Sequence, residues 1–424
     1  MFLQRIGIVI LGLSLIWAAG CTKKAEIEED RIVITYANPL GVEGEKLNRQ
    51  IVDDFNASQN KVYVRLRMEP WAGFQEKMIA GLTSGTAPEV WFTDGVQILE
   101  WAAKNAIEDL TPFITRDINL KDYIGFEGLR DPEGRYWGVP YGIQTAALFY
   151  NKKLFDEAKV PYPDESLTWE KLVEIGKKLT RDINGDGKPD IYGYSGNYYN
   201  FIYQNGGRLL DASKRNSRIN TPPVIEAMQF YYDLVHKYKI SPPPDFWTSF
   251  GNSSVKVFGM GRLAMVQTIY YFVHIIRTRY PEIDFEVTYP PRKVSRACYY
   301  DPNALVITAG LPEVKKEAAW EFIKFFLSYR SQRRIAEGMG ELPASRKAME
   351  DFLAEYKGKP ANLRVFLEMF PQSVDMDVSP AQSRWMLAFQ DEISLMIMGK
   401  KTPAQACESA HIKVQKILDE AYAR

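Results

Sequence analysis

Between Arg31 and Gly95 the hydrophobic pattern switches back and forth between two periods, and this restricts the fold more than any other feature of the chain. Residues 31–37 (RIVITYA) are rich in β-branched side chains, as a strand requires. Residues 43–58 then place Leu47, Ile51, Val52 and Phe55 at helical spacing. Period two returns at 62–68, where Val62, Val64, Leu66 and Met68 alternate with Tyr63, Arg65 and Arg67. A second helical stretch over 74–83 leads through Ser84-Gly85-Thr86-Ala87-Pro88 to a short strand at 89–92. The order β-α-β-α-β implies a parallel sheet with right-handed crossovers. In such sheets ligands lie beyond the carboxyl ends of the strands, which marks Asn38, Trp71 and Asp94 as candidates.

The segment ahead of this block carries an address. A single positive charge, Arg5, precedes an uncharged apolar run over 6–17, followed by Ala18-Ala19-Gly20 and Cys21. A positive start, an apolar core and small residues before a cut site describe an export signal. The run is too short to cross a bilayer, which takes about 20 residues. Cys21 directly after the small residues resembles the bacterial lipobox, with Ala18 standing where Leu is usual. We therefore expect a signal peptide over 1–20, lipidation at Cys21 and a polar tether over 21–30. The mature protein is expected to be anchored to the cell membrane on its periplasmic or outer side.

The 424 residues predict two domains. Hydrophobic residues are 46% and charged residues 25%, a globular profile. The formal net charge of zero argues against a nucleic-acid or anionic-membrane surface. Aromatic residues reach 13%, with 24 Tyr and 9 Trp, an excess that suits a binding cleft. Beyond Cys21 only Cys298 and Cys407 remain, and both read as buried thiols. Catalytic signatures are missing: there is no Gly-x-Ser-x-Gly elbow, no zinc-protease motif and no dinucleotide fingerprint. His236, His274 and His411 lack ligand spacing, and no cofactor is expected.

One local motif stands apart. Asp182, Asn184, Asp186 and Asp190 occupy positions 1, 3, 5 and 9 of a loop with Gly187 at position 6, as at the start of a calcium loop. The usual Glu at position 12 is replaced by Gly193. The pattern fits a structural Ca²⁺ site and equally an Asx-rich turn between a helix and a strand.

Farther along, 136–150 (YWGVPYGIQTAALFY) reads as a long aromatic strand running between domains. Helices are expected at 152–158, 168–180, 222–238, 313–329, 331–337, 384–398 and 402–422. Thr168 takes the N-cap position of the second of these.

These segments, in this order, resemble the extracellular solute-binding proteins of bacterial ABC importers, in the carbohydrate-binding group. The likeness spans about 31–424. It is carried by Leu82-Thr83-Ser84-Gly85-Thr86-Ala87-Pro88-Glu89-Val90, by Val139-Pro140-Tyr141 through Leu154-Phe155, and by Thr168-Trp169-Glu170. Phe258-Gly259-Met260-Gly261-Arg262-Leu263-Ala264-Met265, Leu342-Pro343-Ala344-Ser345-Arg346 and Gly399-Lys400-Lys401-Thr402-Pro403 complete it. The resemblance implies an α/β fold of two lobes, each a mostly parallel sheet flanked by helices, with the ligand in the cleft at the hinge. Lobe 1 would take 31–143 and 296–344, and lobe 2 would take 147–293 and 347–424.

The resemblance also implies contact positions. Asp94 follows the third strand and Trp71 the second. Gln144 stands in the hinge-crossing segment, where the group often has Glu. Tyr270 and Tyr271 stand at a stacking position usually held by Trp, and Tyr271 fits it better. Tyr198 or Tyr199 matches the aromatic of the second lobe, and Trp385 the aromatic on the helix before Gly399. Asp301 lies in a bulky stretch, Tyr299-Tyr300-Asp301-Pro302-Asn303. In this scheme Trp71, Tyr271 and Trp385 offer faces to a sugar ring, while Asp94, Gln144 and Asp301 bind its hydroxyls. The expected partners are a carbohydrate, the importer's permease subunits and, through the lipid, a membrane; the protein is expected to be a monomer. Two other readings stay open: a secreted glycoside hydrolase, and the same fold binding a peptide or a polyamine.

Overall fold

The computed structural model describes residues 31–39, 41–338 and 340–423. The expected signal peptide, Cys21 and the tether lie outside the described residues. One compact unit runs to Trp91 and takes up Gly310–Phe326; the other comprises Phe92–Ala309 and Leu327–Arg424.

The first unit follows the rhythm of its sequence. Strand β1 (Ile32–Asn38), helix α1 (Gly41–Ser58), strand β2 (Val62–Met68), helix α2 (Phe74–Ser84) and strand β3 (Val90–Thr93) succeed one another. β1 pairs in parallel with β2 from Ile32↔Val62 to Asn38↔Met68, and with β3 at Tyr36↔Val90 and Ala37↔Trp91. The helix Glu313–Phe326 returns to cover this sheet. Its Phe322 ring lies 5.1 Å from Tyr36 and 5.4 Å from Phe55, so aromatic packing binds the late helix to the early strands.

The second unit is larger. In chain order its strands and main helices are β4 (Val139–Pro140), β5 (Gln144–Asn151), β6 (Ser195–Gly196), α3 (Tyr198–Gln204), β7 (Met265–Ile269), α4 (Tyr271–Arg279), β8 (Phe285–Thr288), β9 (Cys298–Asp301), β10 (Ala304–Ile307), β11 (Ser373–Asp375), α5 (Gln382–Ile397) and α6 (Pro403–Tyr422). The stretch 136–150, expected as one strand, is two strands broken by a turn at Tyr141–Ile143. β5 is buried at all eight positions, which explains its unbroken apolar sequence. It anchors a sheet ordered β11-β9-β5-β7-β6, with β8 also on β5. β5 runs antiparallel to β7, β8 and β9, and only the β6–β7 and β9–β11 pairs are parallel. This sheet is therefore mixed, not mostly parallel as expected.

Helix ends follow local chemistry. Thr168 caps the helix Trp169–Leu179 by accepting from the Lys171 N–H at 3.3 Å. Thr402 and Gln405 form a reciprocal capping box at the start of α6. Cys298 and Cys407 are both buried free thiols, as expected. Among the described residues no helix is long and apolar enough to cross a membrane.

Candidate ligand-binding site

Several of the expected contact residues converge within the second unit. Asp94 follows the last residue of β3 and heads a short 3₁₀ turn, closed by the Gln97 N–H donating to the Asp94 carbonyl at 3.0 Å. The next residue, Gly95, lies hard against the Pro302 backbone: a Cβ there would sit 2.0 Å from the Pro302 oxygen. Only glycine permits this approach, which seats the Asp94 loop on the 302–303 turn. From that turn Asn303 donates its side-chain N–H to Glu341 Oε1 at 2.7 Å.

Gln144, the first residue of β5, sits beside this group. Its Nε2 donates to the Gly340 carbonyl at 2.7 Å, and its Oε1 accepts from the Tyr271 N–H at 2.9 Å. The second bond supplies an acceptor to the first turn of α4, which has no side-chain cap of its own. A carboxylate could not donate to Gly340, so an amide is required for both bonds. This is a physical reason for Gln at a position where the resemblance suggested Glu. Tyr271 itself is 40% exposed and lies over Gly340, where a Cβ would come within 2.7 Å of the ring. A continuous series thus runs from Asp94 through Asn303, Glu341 and Gln144 to Tyr271. Its two ends are open to solvent to some degree and its middle is buried.

Electrostatics set this series apart. Burial pushes the Asp94 carboxyl up to about 6. Burial also pushes Glu341 up to about 7; the nearby Gln144 and Asn303 amides partly offset this, and the Asp94 charge adds to it. Gln144 lies close enough to favour the ionised form of Glu341. Even so, no group meets Glu341 Oε2 with hydrogen-bond geometry among the described residues.

Apart from Asp301, the remaining expected residues fall elsewhere. Asp301 ends β9, where its backbone pairs with Gln144. Tyr198 and Tyr199 open α3 with their rings 4.5 Å apart, and both pack towards Phe389 of α5. Trp385 is fully buried in the same core, with its Nε1–H donating to Ser379 Oγ at 2.9 Å. It presents no face to a ligand here, which corrects the stacking role read for it from sequence. In the first unit, Asn38 is buried and donates to the Tyr36 hydroxyl at 2.6 Å, while Trp71 is 55% exposed just beyond the end of β2. Sequence reasoning missed Asn303 and Glu341. Asn303 stands only at the end of the bulky 299–303 stretch and Glu341 in no quoted pattern, and what selects them is a contact between turns far apart in the chain.

The Asp182–Asp190 loop is closed by its own side chains. Asp182 accepts from the Gly185 and Gly187 N–H groups at 2.7 and 2.8 Å, and Asp190 accepts from Ile183 at 2.8 Å and Asn184 at 3.2 Å. Asn184 and Asp186 make the corresponding bonds to the Asp186 and Lys188 N–H groups. Gly185 and Gly187 take positive φ angles of 77° and 85°, as the tight turn demands. Among the described residues no group of three or more His, Cys, Asp or Glu side chains is arranged to hold a metal ion.

Comparison with known proteins places this geometry in context. The family profile described as "Bacterial extracellular solute-binding protein" matches residues 50–363. The diacetylchitobiose-binding protein of Streptomyces coelicolor is 23% identical over 392 residues, covering 87% of this chain and 85% of that one. The maltotriose-binding protein of Pyrococcus abyssi is 22% identical over 350 residues, covering 80% and 71%. Among solved structures, an ABC substrate-binding protein of Listeria monocytogenes in complex with cycloalternan superposes with a TM-score of 0.80. It shares 21% identity, with 91% of this chain and 99% of that one covered.

Proposed function

Because the chain belongs to the bacterial extracellular solute-binding protein family, we propose that it is the carbohydrate receptor of an ABC importer, capturing its ligand by lobe closure and delivering it to the membrane permease. Its fold is the two-lobe α/β fold of periplasmic binding proteins, shared with the cycloalternan-binding protein over nearly the full chain. The observation that carries the ligand class is the pairing of Asp94 with the exposed Tyr271 ring at the two ends of one buried polar series. A ring face packs on the C–H face of a pyranose, and a partly open carboxylate takes its hydroxyls. Trp71, exposed beyond a strand end, would add a second face. The lobes are proposed as 31–143 with 296–344, and 147–293 with 347–424. Contacts from both lobes would favour the closed form.

The binder is favoured over a glycoside hydrolase. A hydrolase needs two carboxyl groups that both reach one bond. Glu341, the carboxyl nearest in sequence of contacts to Asp94, is only 2% exposed and stands behind Asn303. Unchanged glycan after prolonged incubation is the expected outcome; its disappearance would establish the enzyme.

A thermal-shift screen tests the ligand class. Maltotriose or diacetylchitobiose at roughly a hundredfold excess over Kd is expected to raise Tm by about 3 °C. A response to peptides or polyamines alone would overturn the carbohydrate reading. For a sugar that binds, Tyr271→Ala should weaken affinity about tenfold, the loss of one aromatic face. It should change Tm little, since the backbone N–H that bonds Gln144 remains.

We further propose that Cys21 carries a lipid anchor and that 21–30 tethers the receptor near its permease, on the periplasmic or outer side of the membrane, as a monomer. An unmodified N-terminus in mass spectra of the membrane-extracted protein would remove the anchor. Calcium on the Asp182–Asp190 loop is a separate proposal: each side chain keeps lone pairs beyond its backbone bonds. Titration of chelator-treated protein with millimolar Ca²⁺ decides it, heat supporting the site and no heat removing it.

A further inference from the structure

We infer that Glu341 is a positioning residue that links a proton to ligand binding, holding Asn303 and the Asp94 loop in their receptive arrangement while its own carboxyl is uncharged. This deepens the carbohydrate reading and rests on it.

Three stretches of chain meet at Glu341. Ile143 and Leu342 exchange backbone hydrogen bonds at 2.8 and 3.2 Å, and the Tyr141 N–H donates to the Asn303 carbonyl at 2.7 Å. Gly142 lies so close that a Cβ there would come within 2.7 Å of Glu341 Cβ and 3.0 Å of its Oε2. The carboxyl is therefore enclosed by backbone on one side and by Asn303 on the other. Only Oε1 receives a hydrogen bond, from Asn303; Oε2 of Glu341 and Oδ1 of Asn303 are both buried without a partner among the described residues. An ionised carboxylate needs several donors to offset its lost hydration. This pocket supplies one well-formed bond, so it favours the uncharged acid.

The groups that face Glu341 reinforce that preference. Asp94 acts on it from the loop after β3 and would repel its negative charge. The Tyr270 phenol faces it from the start of α4; it is itself acidic and is held protonated by burial. Arg277 and Tyr356 lie beyond Tyr270 and act on that phenol. Gly142 and Gly340 carry no charge, and the Gln144 and Asn303 amides offset the preference only in part. When Glu341 ionises, its Oε2 is left buried with no donor among the described residues, and Asp94 repels the new charge. The Asn303 bond tightens, as a bond to a charged acceptor does, so the repulsion falls on the Asp94 loop, which Gly95 seats against the neighbouring Pro302. The Asp94 carboxyl is then driven from its receptive position. Ligand affinity is thus expected to fall as pH rises through neutrality.

Titration calorimetry of the full chain with maltotriose and with diacetylchitobiose, at pH 5.5, 7 and 8.5, tests this. Wild-type affinity for the sugar that binds is expected to fall roughly fivefold across the range, with a buffer-dependent heat at pH 7 that reports proton uptake. Glu341→Gln, which cannot ionise, is expected to lose the fall in affinity between pH 7 and 8.5 and most of the proton uptake at pH 7, leaving the change at lower pH that Asp94 contributes. A wild-type affinity independent of pH, or a Glu341→Gln profile matching wild type, overturns the inference and leaves the carbohydrate reading intact. No heat with either sugar, together with a thermal shift only from non-sugars, overturns both. Circular dichroism melting of the variant confirms that it is folded during the titrations.

Discussion

Trp385→Ala is expected to destabilise the protein by about 3–5 kcal/mol, read as a drop in the midpoint of denaturant unfolding. The indole is among the largest fully buried side chains and contributes to a core that also holds Tyr199, Phe389 and the α5–α6 contact. Removing it leaves a cavity that the flanking helices cannot close, because packed cores relax only partly. Ser379 Oγ also loses the indole N–H that it accepts at 2.9 Å. A stacking residue exposed in the cleft would behave in the opposite way, losing affinity at nearly constant stability. If Trp385→Ala unfolds at the wild-type midpoint and only binding suffers, the core assignment is wrong.

The second large effect is a pH dependence of stability carried by Glu341. Its folded pKa of about 7 lies above the ordinary 4.5 because burial disfavours the charged form. Between those values the native state binds more protons than the unfolded chain, so stability falls as pH rises. The shift corresponds to about 3 kcal/mol, present in full below the unfolded value and lost once pH has passed about 7. Glu341→Gln cannot ionise. It should therefore be more stable than wild type at pH 8, by up to about 3 kcal/mol, and lose that advantage at pH 4. Asp94, raised to about 6 by burial, adds a loss of the same sign at lower pH, so the two proteins are best compared as a difference. Denaturant melts of both at pH 4, 6 and 8 supply the measurement, and parallel profiles would refute the assignment.

Much of the fold was legible in the chain because it is written in local periodicity. The pattern over 31–93 returned β1, α1, β2, α2 and β3 nearly residue for residue, and their parallel order followed from the alternation itself. Thr168 marked a helix start through a side chain that satisfies an orphan N–H group, a purely local requirement that Thr402 also meets in the structure. The second sheet was harder. β5 announced its burial by an unbroken apolar run, but such a run does not say which strands flank it or in which direction. Hence a mixed sheet stands where a mostly parallel one was expected. The turn at 141–143 was missed for a related reason: Gly142 is required there by Glu341, nearly 200 positions away.

The candidate site divides along the same line. Asp94 and Trp71 were proposed because topology places residues after strand ends, and Gln144 and Tyr271 because the family resemblance aligned them. Trp385 was misassigned because its sequence context records a helix face without recording what covers it. By itself the sequence determined the β-α-β rhythm, the helix starts, the buried thiols and the absence of catalytic motifs, all of which depend on residues close in the chain. Only the tertiary structure decided that Gln144 bonds both Tyr271 and Gly340, that Trp385 is core, and that Glu341 is enclosed behind Asn303. Those outcomes depend on which distant segments share a volume. Burial and the lost hydration of a carboxyl are properties of that shared volume and of no single stretch of residues.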